Sequence, residues 1–318
     1  MQLWYFNKHF PLYYFGRFLY RKDIPNYKDY LSLKQYYRII KSKKLNKVEF
    51  TNILANKLAF ALFCEQTKIP APTVLGYNMK KTFFLGGEKI TMDSIEELKQ
   101  YFTSLFKKNS IDKIFIKTLS DSGGKGVFMV DSNTLDLQDV SLFNKILNSA
   151  CIHQQGVVQH SAINAIYSKS VNTIRIDTYI DDLNIPHVLS TTMRIGSGGN
   201  TVDNVSSGGF FVPADLVSGE LLPHALQSMI FGGKKFTKHP DTGFEFRGFK
   251  IPYFQEAKDL CLSTSMIIPN RLIGWDIAIT PHGPIIIEGN PAPGFLIGEY
   301  YHGGYLKHPL GKEMLENA

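Results

Sequence analysis

Cysteine is scarce in this chain, and the placement of the few residues is as telling as their number. The three cysteines, Cys64, Cys151 and Cys261, lie far apart and form no CxxC pair or even disulfide framework. A reduced, cytosolic setting is expected, and a disulfide-stapled secreted domain is excluded. No apolar run approaches the length of a membrane span, and the first residues carry no uninterrupted hydrophobic leader core. The chain is therefore expected to be neither secreted nor transmembrane. Internal repeats, low-complexity tracts and flexible linkers are missing, as is a GxxxxGK[ST] phosphate loop. No Ser-His-Asp or Cys-His arrangement points to a covalent nucleophile.

What is present is ample apolar material: 44% of 318 residues, enough for a sizeable core in two or three closely joined lobes. Charge is distributed unevenly. Residues 1–50 hold eleven Lys/Arg against Asp23, Asp29 and Glu49, a balance of +8, while the whole chain is +7, leaving −1 for residues 51–318. The same segment holds Trp4, Tyr5, Phe6, Phe10, Tyr13, Tyr14, Phe15, Phe18 and Tyr20. A basic, aromatic segment suits the surface of an anionic membrane. It also suits single-stranded nucleic acid, the least favoured of the readings. A third reading is a helical layer whose aromatics pack on the body while its lysines face water.

Periodicity predicts helices over residues 27–47 and 51–66, the second with Thr51 as N-cap. A short strand is predicted near residues 73–77. A helix over 94–107 follows, capped by Asp93 or Ser94, with Glu96 and Glu97 in its first turn. Strand patterns follow at 113–118, 127–130, 157–160, 171–181, 187–195 and 209–212, and a helix at 254–266. Helices mixed with largely antiparallel strands make the class α+β. The expected division is a basic, aromatic, helical segment over 1–50, a second part over 51–160 carrying a glycine-rich flap, and a third over 161–318.

The most informative pattern lies near the C-terminus. From Leu272 to Thr280 residues alternate, with Ile273, Trp275, Ile277 and Ile279 on one face and Gly274, Asp276 and Ala278 on the other. Pro281-His282-Gly283 reads as a turn and residues 284–288 as the return strand. A three-residue loop sets Asp276 opposite Glu288, with side chains roughly 5 Å apart, and Asn290 on the same face. Two carboxylates and an amide oxygen are hard ligands suited to Mg²⁺. A solvated hairpin with charged edges is the plainer alternative.

Upstream, residues 113–130 read as strand, glycine-rich loop, strand, with Lys117 at the root and Ser120, Ser122, Gly123, Gly124, Lys125 and Gly126 in the loop. Such a loop is either a tight turn or a flap whose amides approach phosphate oxygens. Arginines occur within strands that otherwise look like core. Alternation puts Thr173, Arg175, Asp177 and Tyr179 on one face, so Arg175 either pairs with Asp177 or awaits an anion. Arg194 has no acid on its own strand; the nearest downstream is Asp203, in a polar, glycine-rich loop that also holds Asn204. A transferring phosphoryl group would suit both arginines.

In order, these pieces are Asn56-Lys57, Ile116-Lys117 with the loop 120–126, Gln159-His160, Asn172-Thr173-Ile174-Arg175, Arg194 with Asn204 and Gly208-Gly209, and Asp276 with Glu288-Gly289-Asn290. Over roughly residues 50–300 the series resembles the ATP-grasp superfamily. Asn172-Thr173-Ile174-Arg175, His239-Pro240-Asp241-Thr242-Gly243 and Gly274-Trp275-Asp276-Ile277-Ala278 are most similar to the branch associated with sugar transfer and surface polysaccharides. The resemblance implies two α+β lobes gripping ATP. It implies that Lys57 and Lys117 contact phosphates, that the loop 120–126 covers the triphosphate, and that Gln159-His160 lies at the adenine. It also implies that Asp276, Glu288 and Asn290 hold two Mg²⁺ ions, with Mn²⁺ able to substitute, and that Arg194 and Arg175 stabilise the transferring phosphoryl group beside Asn204. Many relatives carry a glutamate where Gln159-His160 stands, which leaves the ribose contact without its usual partner; His160 reads equally well as a core histidine.

The implied activity is ligation of a carboxylate, small-molecule or glycan-borne, to an amine through an acyl phosphate. The expected setting is the cytoplasm, at the inner face of a membrane. The alternative is a kinase acting on a hydroxyl, with Asp177 or Asp203 as base. Asp276→Ala or Glu288→Ala is expected to abolish turnover with the fold intact.

Overall fold

The computed structural model describes residues 12–17, 19–22, 24, 26–121, 126–201, 203, 208–294 and 298–318. They group into one unit over residues 56–158 and another made of the segments before and after it. The N-terminal segment, expected as a separate piece, thus belongs with the C-terminal part of the chain.

The helices α1 (Leu12–Gly16), α2 (Leu33–Lys41) and α3 (Val48–Ala55) come first. The single helix expected over 27–47 is instead a 3₁₀ turn at Tyr27–Asp29 followed by α2, because Ser32 and Gln35 form a capping box that starts a new helix. The helix expected over 51–66 is likewise broken. Asn56 accepts bonds from the Leu58 and Ala59 amides at 3.1 and 3.0 Å and caps α4 (Lys57–Thr67). Thr51, expected as the cap, sits inside α3 with its hydroxyl on Val48 O.

The unit over residues 56–158 holds β1 (Val74–Met79), β2 (Thr82–Leu85), β3 (Glu88–Thr91), β4 (Lys113–Thr118), β5 (Val127–Asp131) and β6 (Ala150–Gln155). They pair antiparallel in the order β3-β2-β1-β6-β4-β5. The helices α5 (Ile95–Asn109) and α6 (Val140–Asn148) supply Leu98, Phe102, Leu105, Phe143 and Ile146 to the core over Ile114 and Ile116. Of the two expected caps, Ser94 rather than Asp93 is used, in a reciprocal capping box with Glu97.

The strand expected at 157–160 is found earlier, as β6, and residues 156–160 form the connection that follows it. Buried His153 and Gln154 hide this strand's periodicity. His153 is satisfied on both sides, by Tyr101 Oη at 2.9 Å and Asn78 Oδ1 at 2.9 Å. The Asn78 amide nitrogen donates to the carbonyls of Lys80, Ile146 and Ser149, so its oxygen accepts from His153 Nε2. Burial pushes the imidazole down to about 3, keeping it neutral.

After α7 (Ser161–Asn164), the other unit builds β7 (Ile174–Ile180), β8 (Pro186–Ile195), β9 (Phe210–Pro213), β10 (Ala225–Gln227) and β11 (Lys235–Phe236). Next come α8 (Phe254–Ile267), β12 (Leu272–Thr280), β13 (Gly283–Asn290), α9 (Glu299–His302) and α10 (Pro309–Glu316). The sheet order is β11-β10-β9-β8-β7-β12-β13. On one face Trp275 Nε1 donates to Thr178 Oγ1 at 2.9 Å, which in turn meets Ser265 of α8 at 3.0 Å. On the other, Leu272 and Tyr179 pack with Leu31, Ile39 and Leu45 from the N-terminal layer and with Met314 of α10. Every residue from Leu272 to Ile279 is buried. Asp276 therefore lies on a covered interior strand, which removes the solvated-hairpin alternative.

The N-terminal layer packs in part. Tyr13, Leu19 and Tyr30 are buried against Tyr14, Ile24, Tyr27 and Leu33. Phe15 and Tyr20 remain 47% and 46% exposed. Trp4, Tyr5, Phe6, Phe10 and Phe18 lie outside the described residues. Glu299 fastens the layer: its fully buried carboxylate takes Arg17 Nη1 at 2.5 Å and the amides of Leu31 and Tyr305 at 2.8 and 3.2 Å. Burial outweighs these partners and moves the carboxyl up from 4.5 to about 7.

Because the folded value lies above the unfolded one, this group's contribution is full below about 4.5 and is lost as pH rises through about 7. Denaturant unfolding of the wild type should lose up to roughly 3 kcal/mol from this group between about pH 5 and about pH 8. Glu299→Gln, which sets a neutral amide where wild type holds a neutral acid at the lower pH, should be close to wild type near pH 5, lose less stability toward pH 8, and so show a flatter profile. An unchanged pH slope in the variant would remove Glu299 as the cause.

Candidate active site

Asp276 does face Glu288 across the β12–β13 ladder, and Gly274 faces Asn290. The turn that sets this register differs from the expected one. Thr280 pairs with Gly283, so only Pro281 and His282 form the loop, and a bulge between Asp276 and Ile277 restores the offset by one residue. Gly283 takes φ 124°, a conformation glycine allows at no steric cost.

On the neighbouring strand Arg175 stands opposite Asp276, and Asp177 opposite Gly274. Arg175 Nε donates to Asp276 Oδ1 at 2.6 Å, and Arg194 Nη2 reaches Asp276 Oδ2 at 2.8 Å. Arg175 thus pairs across the sheet rather than with Asp177 of its own strand. Arg194 also bonds Thr173 Oγ1 through Nε and Nη2, at 3.1 and 2.9 Å. Burial alone would raise the Asp276 carboxyl, but the guanidinium groups of Arg175 and Arg194 overcome it and hold it below the usual carboxylate range. Asp276 is 4% exposed and ionised.

Two further carboxylates sit nearby. Asp203 Oδ2 accepts from the Thr173 amide at 2.8 Å and from its hydroxyl, and lies 3.8 Å from Arg194 Nε. Asp177 accepts from Ser190 Oγ at 2.7 Å through Oδ2, while its buried Oδ1 has no hydrogen-bond partner. Burial, only partly offset by Arg175 and Ser190, lifts Asp177 to about 6.

The donor set fits Mg²⁺ in its nucleotide-bound form. Among the described residues no three His, Cys, Asp or Glu side chains gather into a closed cage. Asp276, Glu288 and Asn290 offer two carboxylates and one amide. Mg²⁺ commonly takes a few such ligands and completes its shell with substrate phosphates and water. Asn290 Nδ2 donates to Gly274 O at 3.1 Å and approaches Asp276 Oδ2 at 3.4 Å, so its oxygen is the atom a cation would take.

The loop after Arg194 is held by residues whose part the sequence pattern did not reveal. His239 is buried, stacks on Tyr167 at 5.1 Å and meets Gly196 O at 3.0 Å through Nε2. Its Nδ1 accepts from the Asp241 and Thr242 amides, and Asp241 Oδ2 accepts from Gly198 N at 2.6 Å. The only sequence signal for this brace is the tight-turn signature of His239-Pro240-Asp241-Thr242-Gly243. Asn204 lies outside the described residues.

In the other unit, Lys57 at the start of α4 donates to Asp121 O. Thr118 ties the base of the glycine-rich loop, its amide to Gly126 O at 2.9 Å and its hydroxyl to Asp121 Oδ2 at 2.8 Å. A Cβ at Gly126 would lie 1.9 Å from Thr118 Oγ1, so only glycine fits there. Lys117 sits half-buried on β4 beside exposed Ser120; Ser122, Gly123, Gly124 and Lys125 lie outside the described residues. Gln159, expected near adenine, has its carboxamide occupied: Nε2 meets Asn164 Oδ1 at 2.8 Å and Oε1 accepts from Asn172 N at 2.6 Å. His160 accepts the Ala162 amide as the cap of α7, and its own amide donates to Ile279 O at 2.8 Å. Both side chains are thereby given structural work.

The ion pairs alter the expectation for Asp276→Ala. Removing that carboxylate leaves two arginines, each about four-fifths or more buried, without their shared counter-charge. Unfolding in denaturant should show a loss of roughly 3–5 kcal/mol. Glu288→Gln, at a half-buried position, should stay within about 1 kcal/mol of wild type while losing Mg²⁺-dependent ATP binding. Equal stability of the two variants would contradict the pairing described here.

A family model described as sugar-transfer associated ATP-grasp matches residues 39–312. No curated protein matches the chain in sequence. Among solved structures, D-alanyl-alanine synthetase A from Vibrio cholerae O1 biovar eltor superposes with a TM-score of 0.51 at 12% identity, over 86% of this chain and 66% of that one. The D-alanine-D-alanine ligase from Coxiella burnetii gives 0.49 at 11% identity, over 86% and 59%. The chain thus spans about three fifths to two thirds of the length of these structures. The likeness to the Vibrio cholerae enzyme is one of fold; the match of the family model, which runs over most of the sequence, establishes that the chain belongs to the sugar-transfer-associated ATP-grasp family.

Proposed function

We propose that the protein is an ADP-forming ligase that joins a carboxylate to an amine at the expense of ATP. The observation that carries this reading is Asp276, buried and ionised between Arg175 and Arg194, with Glu288 and Asn290 on the adjacent strand. In this reading Lys57 and Lys117 contact nucleotide phosphates, residues 120–126 cover the triphosphate, and backbone groups near Gln159-His160 meet the adenine. Asp276, Glu288 and Asn290 hold Mg²⁺, one ion or two, with Mn²⁺ as a substitute. Bound Mg²⁺ supplies charge neutralisation on the phosphate oxygens.

With nucleotide and Mg²⁺ bound, Asp276 would be a ligand of the cation in place of its guanidinium partners, and Arg175 and Arg194 would turn to phosphate oxygens. Every buried charge then keeps a counter-charge. A substrate carboxylate oxygen attacks the γ-phosphorus and ADP leaves; Arg194 and Arg175 stabilise the transferring group beside Asn204. The acyl phosphate is then attacked by the amine nitrogen, which loses a proton as phosphate departs and the C–N bond forms. The protein's contribution is positioning and charge stabilisation. A hydroxyl kinase would need a base, and the two candidates are poorly suited: Asp177 is 2% exposed, and Asp203 is committed to Thr173.

The family's association with sugar transfer supports a sugar-borne carboxylate, such as a uronic acid, or attachment of an amino acid to an amino sugar, in surface polysaccharide or capsule assembly. The basic N-terminal segment supports a cytoplasmic enzyme that visits the membrane surface; no helix among the described residues is long and apolar enough to cross it. Incubation with ATP, Mg²⁺ and pools of sugar acids, amino sugars and amino acids should release ADP and phosphate only when carboxylate and amine are both present, with an amide product by mass spectrometry. A stable phosphorylated product formed without any amine would replace the ligase by a kinase.

A further inference from the structure

We propose that the turn from Met229 to Lys235 is a docking element for an anionic phospholipid bilayer, acting beside the N-terminal aromatics as one surface. The turn is a 3₁₀ helix at Met229–Phe231 between β10 and β11, and it carries apolar side chains outward: Met229 is 41%, Ile230 86% and Phe231 38% exposed. Three consecutive exposed apolar residues at the tip of a hairpin are unfavourable in water and suit the headgroup–acyl boundary. Gly232 and Gly233, at φ 97° and 59°, turn the chain sharply so that exposed Lys234 and Lys235 follow directly behind the apolar tip.

The N-terminal layer meets this turn. Arg21 Nη2 donates to Gly233 O at 2.7 Å, which brings Tyr20 and Lys22 alongside. Tyr20 and Phe15, both nearly half exposed, lie 6.2 Å apart between ring centroids. Aromatic rings at the rim of an apolar tip match the interfacial zone of a bilayer. The patch so assembled is mainly positive: no Asp or Glu occurs in residues 12–22 or 221–240, whereas Arg21, Lys22, Lys234 and Lys235 do, and Lys238 farther along is paired with Glu245 at 3.6 Å. That complementarity selects an anionic lipid surface. Another exposed apolar residue shows what the patch is not. Val217 is 84% exposed, but Asp215 and Glu220 flank it, and it belongs to a solvated turn.

The position of the turn links the surface to the site. Phe231 lies against Gly208, where a Cβ would come within 3.8 Å of the ring, at the end of the loop that begins after Arg194. A bilayer on this face would therefore present acceptors from its own headgroup layer beside that loop. The exposure and charge of this turn and its contact with Arg21 do not depend on the reaction proposed for the site.

The test is co-sedimentation of the full chain with vesicles of phosphatidylcholine alone and of phosphatidylcholine mixed with phosphatidylglycerol. Wild type should bind the mixed vesicles, weakly or not at all the neutral ones, and release with added salt. Ile230→Asp and, separately, the pair Lys234→Glu and Lys235→Glu should each lower partitioning by about tenfold or more. Val217→Asp should bind as wild type. All variants alter exposed positions, and thermal unfolding should confirm that each is folded. The proposal is overturned if Ile230→Asp partitions like wild type, or if wild type ignores anionic vesicles. It is also overturned if the chain self-associates through this patch in solution and Ile230→Asp merely dissociates it. Because the readout is vesicle binding, these outcomes are separate from success or failure of the ligase assay.

Discussion

A single buried carboxylate sets the terms for the C-terminal half of the chain. Asp276 is 4% exposed, and an ionised group at that depth is tolerated only with close counter-charges. Arg175 and Arg194 provide them at 2.6 and 2.8 Å, from two successive strands. The rest of the site is arranged around that triad. Thr173 bonds Arg194 and, through its amide, Asp203. Gly274 leaves room for it: a Cβ there would lie 2.6 Å from Pro293 Cβ, 2.9 Å from Asp177 Oδ1 and 3.1 Å from Arg175 Nη1. Asn290 closes the fourth side through Gly274 O.

Under the proposed function, the same arrangement would let Arg and Asp coexist in one site for Mg²⁺ and phosphate. Without ligand the charges neutralise one another; in the proposed nucleotide-bound state each would find an opposite charge on the ligand. Such an exchange keeps the buried charge balanced throughout, whereas a lone buried carboxylate would rise in pKa and protonate, as Asp177 partly does at about 6.

Local signals in the sequence were legible where the physics is local. A helix start at Asp93 or Ser94, the strand over 113–118 and the α+β class follow from spacing alone. The facing of Asp276 and Glu288 was legible too, although a three-residue loop was assumed where a two-residue loop and a bulge give the same register. The matters that escaped depend on distant partners. Nothing near His153 in sequence announces Tyr101 and Asn78, so the polar run His153-Gln154-Gln155 shows no buried-strand pattern. Asn56 as a break between α3 and α4 competes with a continuous apolar pattern. The pairing of Arg175 with Asp276 rather than Asp177 is set by sheet order, which periodicity does not encode.

The central claim is that this centre transfers the γ-phosphoryl group of ATP to a carboxylate and then surrenders it to an amine. The most direct test labels both carboxylate oxygens of the acceptor pool with the heavy oxygen isotope and analyses the phosphate released during turnover. The account predicts one labelled oxygen in each phosphate, carried over through the acyl phosphate. Released phosphate free of label, formed while the amide product accumulates, would contradict it.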